Sequence, residues 1–216
     1  METISKTPRL LLIIDHISAG SNERFHDLYH ACVESIEQLP NVAIQLRTKL
    51  TESARETALI KPLIEYHQAN HRERPLHVNA LSAELDEDFH SHLCRARWQA
   101  SHHKCPRRFS ASLDTTDELQ SLLQDNRPQF LVVGPVGIPR SKSRQPITSD
   151  MLTQLRSFGI PLIGVGGVSA EGVSDGGIPT CDGYAILTPV LKAIDAPANW
   201  HRELQRWKPF LNGETT

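Results

Sequence analysis

The sequence predicts an α/β protein, a single (β/α)8 or TIM barrel over residues 1–216 with a polar tail at 1–8. Three observations lead there. Apolar runs of strand length alternate with stretches of helical spacing from end to end, about eight of each, which implies parallel strands joined by right-handed crossovers. No linker, low-complexity tract or short-period repeat divides the 216 residues, a length that suits one barrel domain. The strands end on polar residues, and the carboxyl ends of the strands are where such a barrel builds its site.

Leu10 to Asp15 is a continuous apolar run bounded by polar residues, as in a strand buried on both faces. Phe25 to Ile36 carries Phe25, Leu28, Ala31, Cys32 and Ile36 at helical spacing, with Pro40 closing the segment. Val42 to Lys49 follows as the second strand: Val42, Ile44 and Leu46 alternate with Ala43, Gln45 and Arg47. Thr51 to Gln68 is helical, and Pro75 to Asn79 is the third strand. From Ser82 to Lys104 the pattern blurs into charges and histidines, and Phe89 to Leu93 is its only strand candidate. Residues 101–108 form a basic stretch that reads as a solvated loop, or as a patch for an anion. Phe109 to Ser112 is strand, then Thr116 to Gln124 helix, capped by Thr115 or Thr116. Gln129 to Pro135 is strand, and Ser149 to Phe158 is a helix stopped by Gly159. Pro161 to Gly167 is strand and glycine turn, Tyr184 to Thr188 the last strand, and helical pieces run on to Leu211.

Composition narrows the function. A hydrophobic fraction of 39% is lean but sufficient for one core, and a formal charge of −2 argues against nucleic-acid or membrane-surface binding. Cys32, Cys94, Cys105 and Cys181 form no C-x-x-C, and no opening stretch reads as a signal peptide. They are expected to be reduced thiols in a cytoplasmic protein. Leu10 to Ile14 is far too short to cross a bilayer. The eleven histidines are scattered with no H-E-x-x-H spacing, so no metal site is predicted.

The polar strand ends are Asp15; Gln45, Arg47 and Lys49; Asn79; Ser112; Ser141 and Lys142; Gly166 and Gly167; and Thr188. Amides, cations, hydroxyls and glycine N–H groups in one ring suit phosphate. Taken alone, Gln45 to Lys49 also fits a solvated strand end, and Gly166-Gly167 a tight turn.

These residues carry a resemblance to the thiamine-phosphate synthase family and its relative, the thiazole tautomerase. It rests on Q-L-R-T-K (Gln45 to Lys49), L-H-V-N (Leu76 to Asn79), S-L-D-T-T-D-E (Ser112 to Glu118) and V-G-P-V (Val133 to Val136) with Lys142. I-G-V-G-G-V (Ile163 to Val168) and D-G-Y-A-I-L-T (Asp182 to Thr188) complete it. The resemblance implies a transferase that joins a pyrimidine diphosphate to thiazole phosphate with release of diphosphate. By position, Gln45, Arg47, Lys49, Asn79, Ser112 and Lys142 would hold the pyrimidine diphosphate, with Lys142, Arg47 and Lys49 meeting the leaving charge. Ser141, Gly166, Gly167 and Thr188 would hold thiazole phosphate.

The sequence departs from the family where Mg²⁺ is bound. The Asp expected after Asn79 is Ala80, and the second carboxylate position falls on Arg97. Mg²⁺ prefers carboxylate oxygens, so the resemblance implies the cofactor while its usual ligands are missing. The tautomerase histidine position holds Asp114, and Pro139 replaces a family threonine. Three readings therefore stand: a divergent synthase, a tautomerase-like isomerase, and a non-catalytic binder of a phosphorylated metabolite. All three make small phosphorylated metabolites the partners.

Overall fold

β1 (Leu10–Asp15) is buried along its whole length because it meets solvent on neither face. Its even-numbered side chains face outward under the helices, while Leu11, Ile13 and Asp15 point into a barrel. In the computed structural model, the described residues are 7–80, 90–94, 97–99, 105–106, 108–113, 119, 123, 127–138 and 145–214. They form the expected closed barrel of eight parallel strands in sequential order, β1 to β8.

After β1 come α1 (His16–Ala19) and α2 (Asn22–Ser35), then β2 (Val42–Arg47), α3 (Ser53–Asn70) and β3 (Leu76–Asn79). β4 (His90–Leu93), β5 (Phe109–Leu113) and β6 (Leu131–Val133) follow. The chain closes with α4 (Ser149–Ser157), β7 (Leu162–Val165), α5 (Ala170–Ser174), β8 (Gly183–Ile186), α6 (Lys192–Asp195) and α7 (Pro197–Asn212). Caps start several of the helices: the Ser21 hydroxyl accepts from Arg24 N at 3.1 Å, and Thr148 and Ser169 cap α4 and α5 in the same way. α3 runs through Pro62, since Leu59, Ile60, Leu63 and Ile64 all bury against the barrel and offset the lost hydrogen bond.

Two cores result. Between strands and helices lie Ile44, Val78 and Ile186 with Phe25, Leu28, Trp200 and Trp207. Inside the barrel lie Leu11, Ile13, Ala43, Phe130, Val132, Ile163 and Ala185. Full burial of each large aliphatic side chain contributes about 1.5–3 kcal/mol.

Several boundaries differ from expectation. β2 stops at Arg47, so Lys49 belongs to the following loop and not to the strand. Thr48 explains the stop: its hydroxyl donates to the buried Glu56 carboxylate, turning the chain towards α3. β8 ends at Ile186, leaving Thr188 in a turn where Val190 N donates to Leu187 O at 3.0 Å. The helix expected at 116–124 lies almost wholly outside the described residues. Among the described residues no helix is long and apolar enough to cross a membrane.

Candidate active site at the carboxyl end of the barrel

Register places the polar residues. Asp15 pairs with Arg47, and Arg47 with Asn79, so all three face the barrel mouth from adjacent strands. Gln45 sits one inward position below Arg47, opposite Ile13 on one side and His77 on the other. Across β4 and β5, His92 pairs with Ser110, and Ser112 with Val132 of β6. Gln45 is buried, while Arg47, Asn79 and Ser112 are half-buried.

Asp15 is the residue that fixes Arg47. Its Oδ1 accepts from Arg47 Nη1 at 2.9 Å, and its Oδ2 accepts from Ser18 N at 3.0 Å and from the Ser18 hydroxyl at 2.6 Å. The carboxylate thus caps α1 and aims a guanidinium at the mouth simultaneously. The Arg47 side chain keeps 28% exposure against 4% for Asp15, so the cation stays reachable while its counter-ion is sealed.

His92 is the residue that the sequence reading did not single out. One ring nitrogen, Nδ1, lies 2.8 Å from the Ser110 hydroxyl and the other, Nε2, 2.7 Å from the Ser112 hydroxyl. Burial, and then the nearby Arg47 charge, push its pKa down to about 3. It is a neutral imidazole touching a mouth serine. The signal was the shared parity of His90 and His92 in a segment whose charges hid its strand.

The glycine turn after β7 does two jobs at once. Gly166 and Gly167 take positive φ values of 84° and 68°, which favour glycine. The loop after β6 packs directly on them: Val136 N donates to Val165 O at 3.0 Å and Gly137 N to Gly166 O at 2.9 Å. A Cβ on Gly167 would come within 2.5 Å of the Gly137 carbonyl carbon. Lys49 and Thr188 are exposed at the rim. Ser141, Lys142, Pro139 and Asp114 lie outside the described residues.

At the position that the resemblance implies for Mg²⁺, the described residues Ala80 and Arg97 offer no carboxylate. Arg97 Nη1 donates to the Ala80 carbonyl oxygen, so a guanidinium occupies the side where two carboxylates would be needed. Among the described residues no group of three or more His, Cys, Asp or Glu is arranged to hold a metal.

No family model matches this chain, and none of the curated proteins does. Solved structures do. A thiamine phosphate pyrophosphorylase from Pyrococcus furiosus is similar over 98% of this chain and 98% of its own, at 16% identity and a TM-score of 0.68. The native KDPGal structure is similar over 100% of this chain and 98% of its own, at 14% identity and a TM-score of 0.62. A thiamine phosphate pyrophosphorylase from Bacteroides thetaiotaomicron covers 97% of this chain and 100% of its own, at 12% identity and a TM-score of 0.55. What is shared is the barrel fold.

Proposed function

We propose that this chain is an enzyme acting on small phosphorylated metabolites at the barrel mouth. In its finer form it is a thiamine-phosphate-synthase-like transferase. The observation that carries the reading is the Asp15-held Arg47, flanked by Gln45 and Asn79 on neighbouring strand positions. A fixed, half-exposed guanidinium suits a diphosphate that must gain charge as it leaves. In the reaction, the bond between the pyrimidine methylene and the diphosphate oxygen breaks. The lone pair of the thiazole nitrogen forms the new C–N bond. Arg47, with Lys49 and Lys142, meets the negative charge on the departing group. Gln45, Asn79 and Ser112 hold the pyrimidine diphosphate, and Ser141, Gly166, Gly167 and Thr188 the thiazole phosphate. No step is routed through Mg²⁺.

One observation favours a second reading. His92 Nε2 lies 2.7 Å from the Ser112 hydroxyl, a contact along which a proton can pass, which a tautomerase-like isomerase needs and a dissociative transfer does not. Its lowered pKa makes it a weak base, so this reading stands second.

The test incubates the purified protein with pyrimidine diphosphate and thiazole phosphate, with and without Mg²⁺, and follows thiamine phosphate and diphosphate. Slow turnover that depends weakly on Mg²⁺ and disappears in Lys142→Ala supports the transferase. Isomerisation of thiazole phosphate lost in His92→Ala supports the second reading. Phosphate binding without either reaction makes the chain a binder of a phosphorylated metabolite, and no phosphate binding at all ends every form of the proposal.

A further inference from the structure

Three inward side chains on β4 and β5 form a line of hydrogen bonds that begins in the sealed interior and ends at the mouth. Ser110 is the register partner of His92, and Ser112 stands two residues further along β5, so both serines share the inner face with the imidazole. Ser110 is fully buried, His92 is buried and Ser112 is half-buried. The Ser110 hydroxyl lies 2.8 Å from Nδ1, and the Ser112 hydroxyl 2.7 Å from Nε2. One ring thus ties a serine sealed from solvent to one that faces the mouth.

Both distances fit a hydrogen bond in either sense, so its direction follows from where each hydrogen goes. His92 is neutral, because burial first and the Arg47 charge second disfavour the imidazolium. A neutral imidazole offers one N–H and one bare nitrogen. Suppose that Nδ1 carried the hydrogen. It would donate to Ser110, whose own hydrogen would then have no acceptor, since His92 is the one partner of that hydroxyl among the described residues. An unmade bond at a sealed group is the costly case. With the hydrogen on Nε2, Ser110 donates to Nδ1 and Nε2 donates to Ser112. The Ser112 oxygen then has a lone pair engaged by the imidazole and keeps its own hydrogen for the mouth, where water or a ligand accepts it. The cost falls on one direction only.

We propose that Ser110, His92 and Ser112 form a one-way relay that fixes Ser112 as a hydrogen-bond donor to an anionic oxygen at the barrel mouth. Ser110 is its positioning residue, sealed away from any ligand and acting only through His92. The proposal rests on the functional reading above, in which Ser112 holds the pyrimidine diphosphate, and adds the sense of that contact. Ionised phosphate oxygens accept hydrogen bonds, so a hydroxyl turned the other way would set lone pair against lone pair. A donor held in place before the ligand arrives also avoids part of the ordering cost of binding. In the resting protein His92 is accordingly a donor to Ser112, not a base towards it.

The test begins with the ligand-free full chain labelled with ¹⁵N, whose long-range ¹⁵N–¹H spectrum shows which ring nitrogen of each histidine bears the hydrogen. His92 is assigned by the signals lost in His92→Gln or, if that variant does not fold, by those that move in Ser110→Ala. The expected result is hydrogen on Nε2. Hydrogen on Nδ1 overturns the proposal. Calorimetry with inorganic diphosphate then reads the consequence. Ser112→Ala should weaken binding by about tenfold or more. Ser110→Ala should weaken it by about threefold, since the donor arrangement is then populated only part of the time. In the Ser110→Ala, Ser112→Ala double variant the loss should match that of Ser112→Ala within about twofold. A merely structural role for Ser110 would add its loss to that of Ser112→Ala, and that result overturns the proposal. So does wild-type affinity in Ser110→Ala. A wild type that carries hydrogen on Nε2 but binds no diphosphate upholds the direction of the relay and ends the transferase reading, so the two failures are distinguishable.

Discussion

Arg97 donates from Nη1 to the backbone carbonyl of Ala80, joining the two positions that the resemblance to the thiamine-phosphate synthase family implies for metal carboxylates. A fixed positive charge therefore stands where a dication would otherwise be recruited. The synthase-like reading proposed above then assigns the leaving charge to protein cations. We expect the wild-type rate to change less than about tenfold between chelator and saturating Mg²⁺. Ala80→Asp combined with Arg97→Asp should raise the rate and make it depend on Mg²⁺. Fast, strictly Mg²⁺-dependent turnover by the wild type would falsify this account of the ligands.

Asp15 and Arg47 give the second expectation. Asp15→Asn keeps an oxygen to cap α1, so the thermal midpoint should move little. It removes the charge that aims the guanidinium, and misplacing such a group by about 1 Å costs on the order of a hundredfold. Phosphate affinity and turnover should both fall by about ten- to a hundredfold. A variant that binds phosphate as tightly as wild type would mean that Arg47 needs no positioning from Asp15.

How much of this was readable beforehand depended on whether the cause was local. The barrel was legible because strand and helix periods are local, and Leu11, Ile13, Ile44, Val78, Val132, Ile163 and Ile186 are all buried. The end of β2 was not, because Thr48 is turned by Glu56, a contact made only once α3 is in place. The packing of Gly137 on Gly166 joins two loops far apart in sequence. The interior histidines were hidden for another reason. Composition marks histidine as a surface residue, and only the register of β3 and β4 shows that His77, His90 and His92 share the inner face.

The interlocked glycine loops can be tested by comparison. Gly167 and Gly176 have similar φ values, 68° and 70°, but a Cβ on Gly176 meets nothing within 4 Å. Gly176→Ala should therefore cost only backbone strain, about 1–2 kcal/mol, or a few degrees in the thermal midpoint. Gly167→Ala adds a collision with the backbone of Gly137 and Ile138, at 2.5 and 2.6 Å. Its midpoint should drop at least twice as far as that of Gly176→Ala. Equal drops would show that the two loops part easily.

The last expectation concerns acid stability and the buried contact between Tyr29 and His67. The His67 Nε2 lies 3.0 Å from the Arg74 carbonyl oxygen, which can only accept, so Nε2 carries the hydrogen. Nδ1 is then the acceptor, and the Tyr29 hydroxyl donates to it at 2.8 Å. Protonating Nδ1 would turn this donor against another donor. Burial lowers the His67 pKa first; His71 and Arg74 lower it further, while the Arg74 carbonyl contact and Glu73 raise it in part. The unfolded chain takes up a proton near the ordinary histidine value, about 6.5, and the folded chain does not until lower pH. The sign follows: above that value His67 contributes no pH dependence, and below it stability falls as pH falls. For one proton the slope approaches about 1.4 kcal/mol per pH unit between the two pKa values. Denaturant unfolding of wild type and His67→Gln from pH 8 to pH 5 measures it, since other titrating groups cancel in the difference. Wild type should lose stability more steeply than the variant below about pH 6.5, with parallel curves above. Parallel curves throughout, or a wild type that gains on acidification relative to the variant, would show that His67 accepts its proton in the folded state.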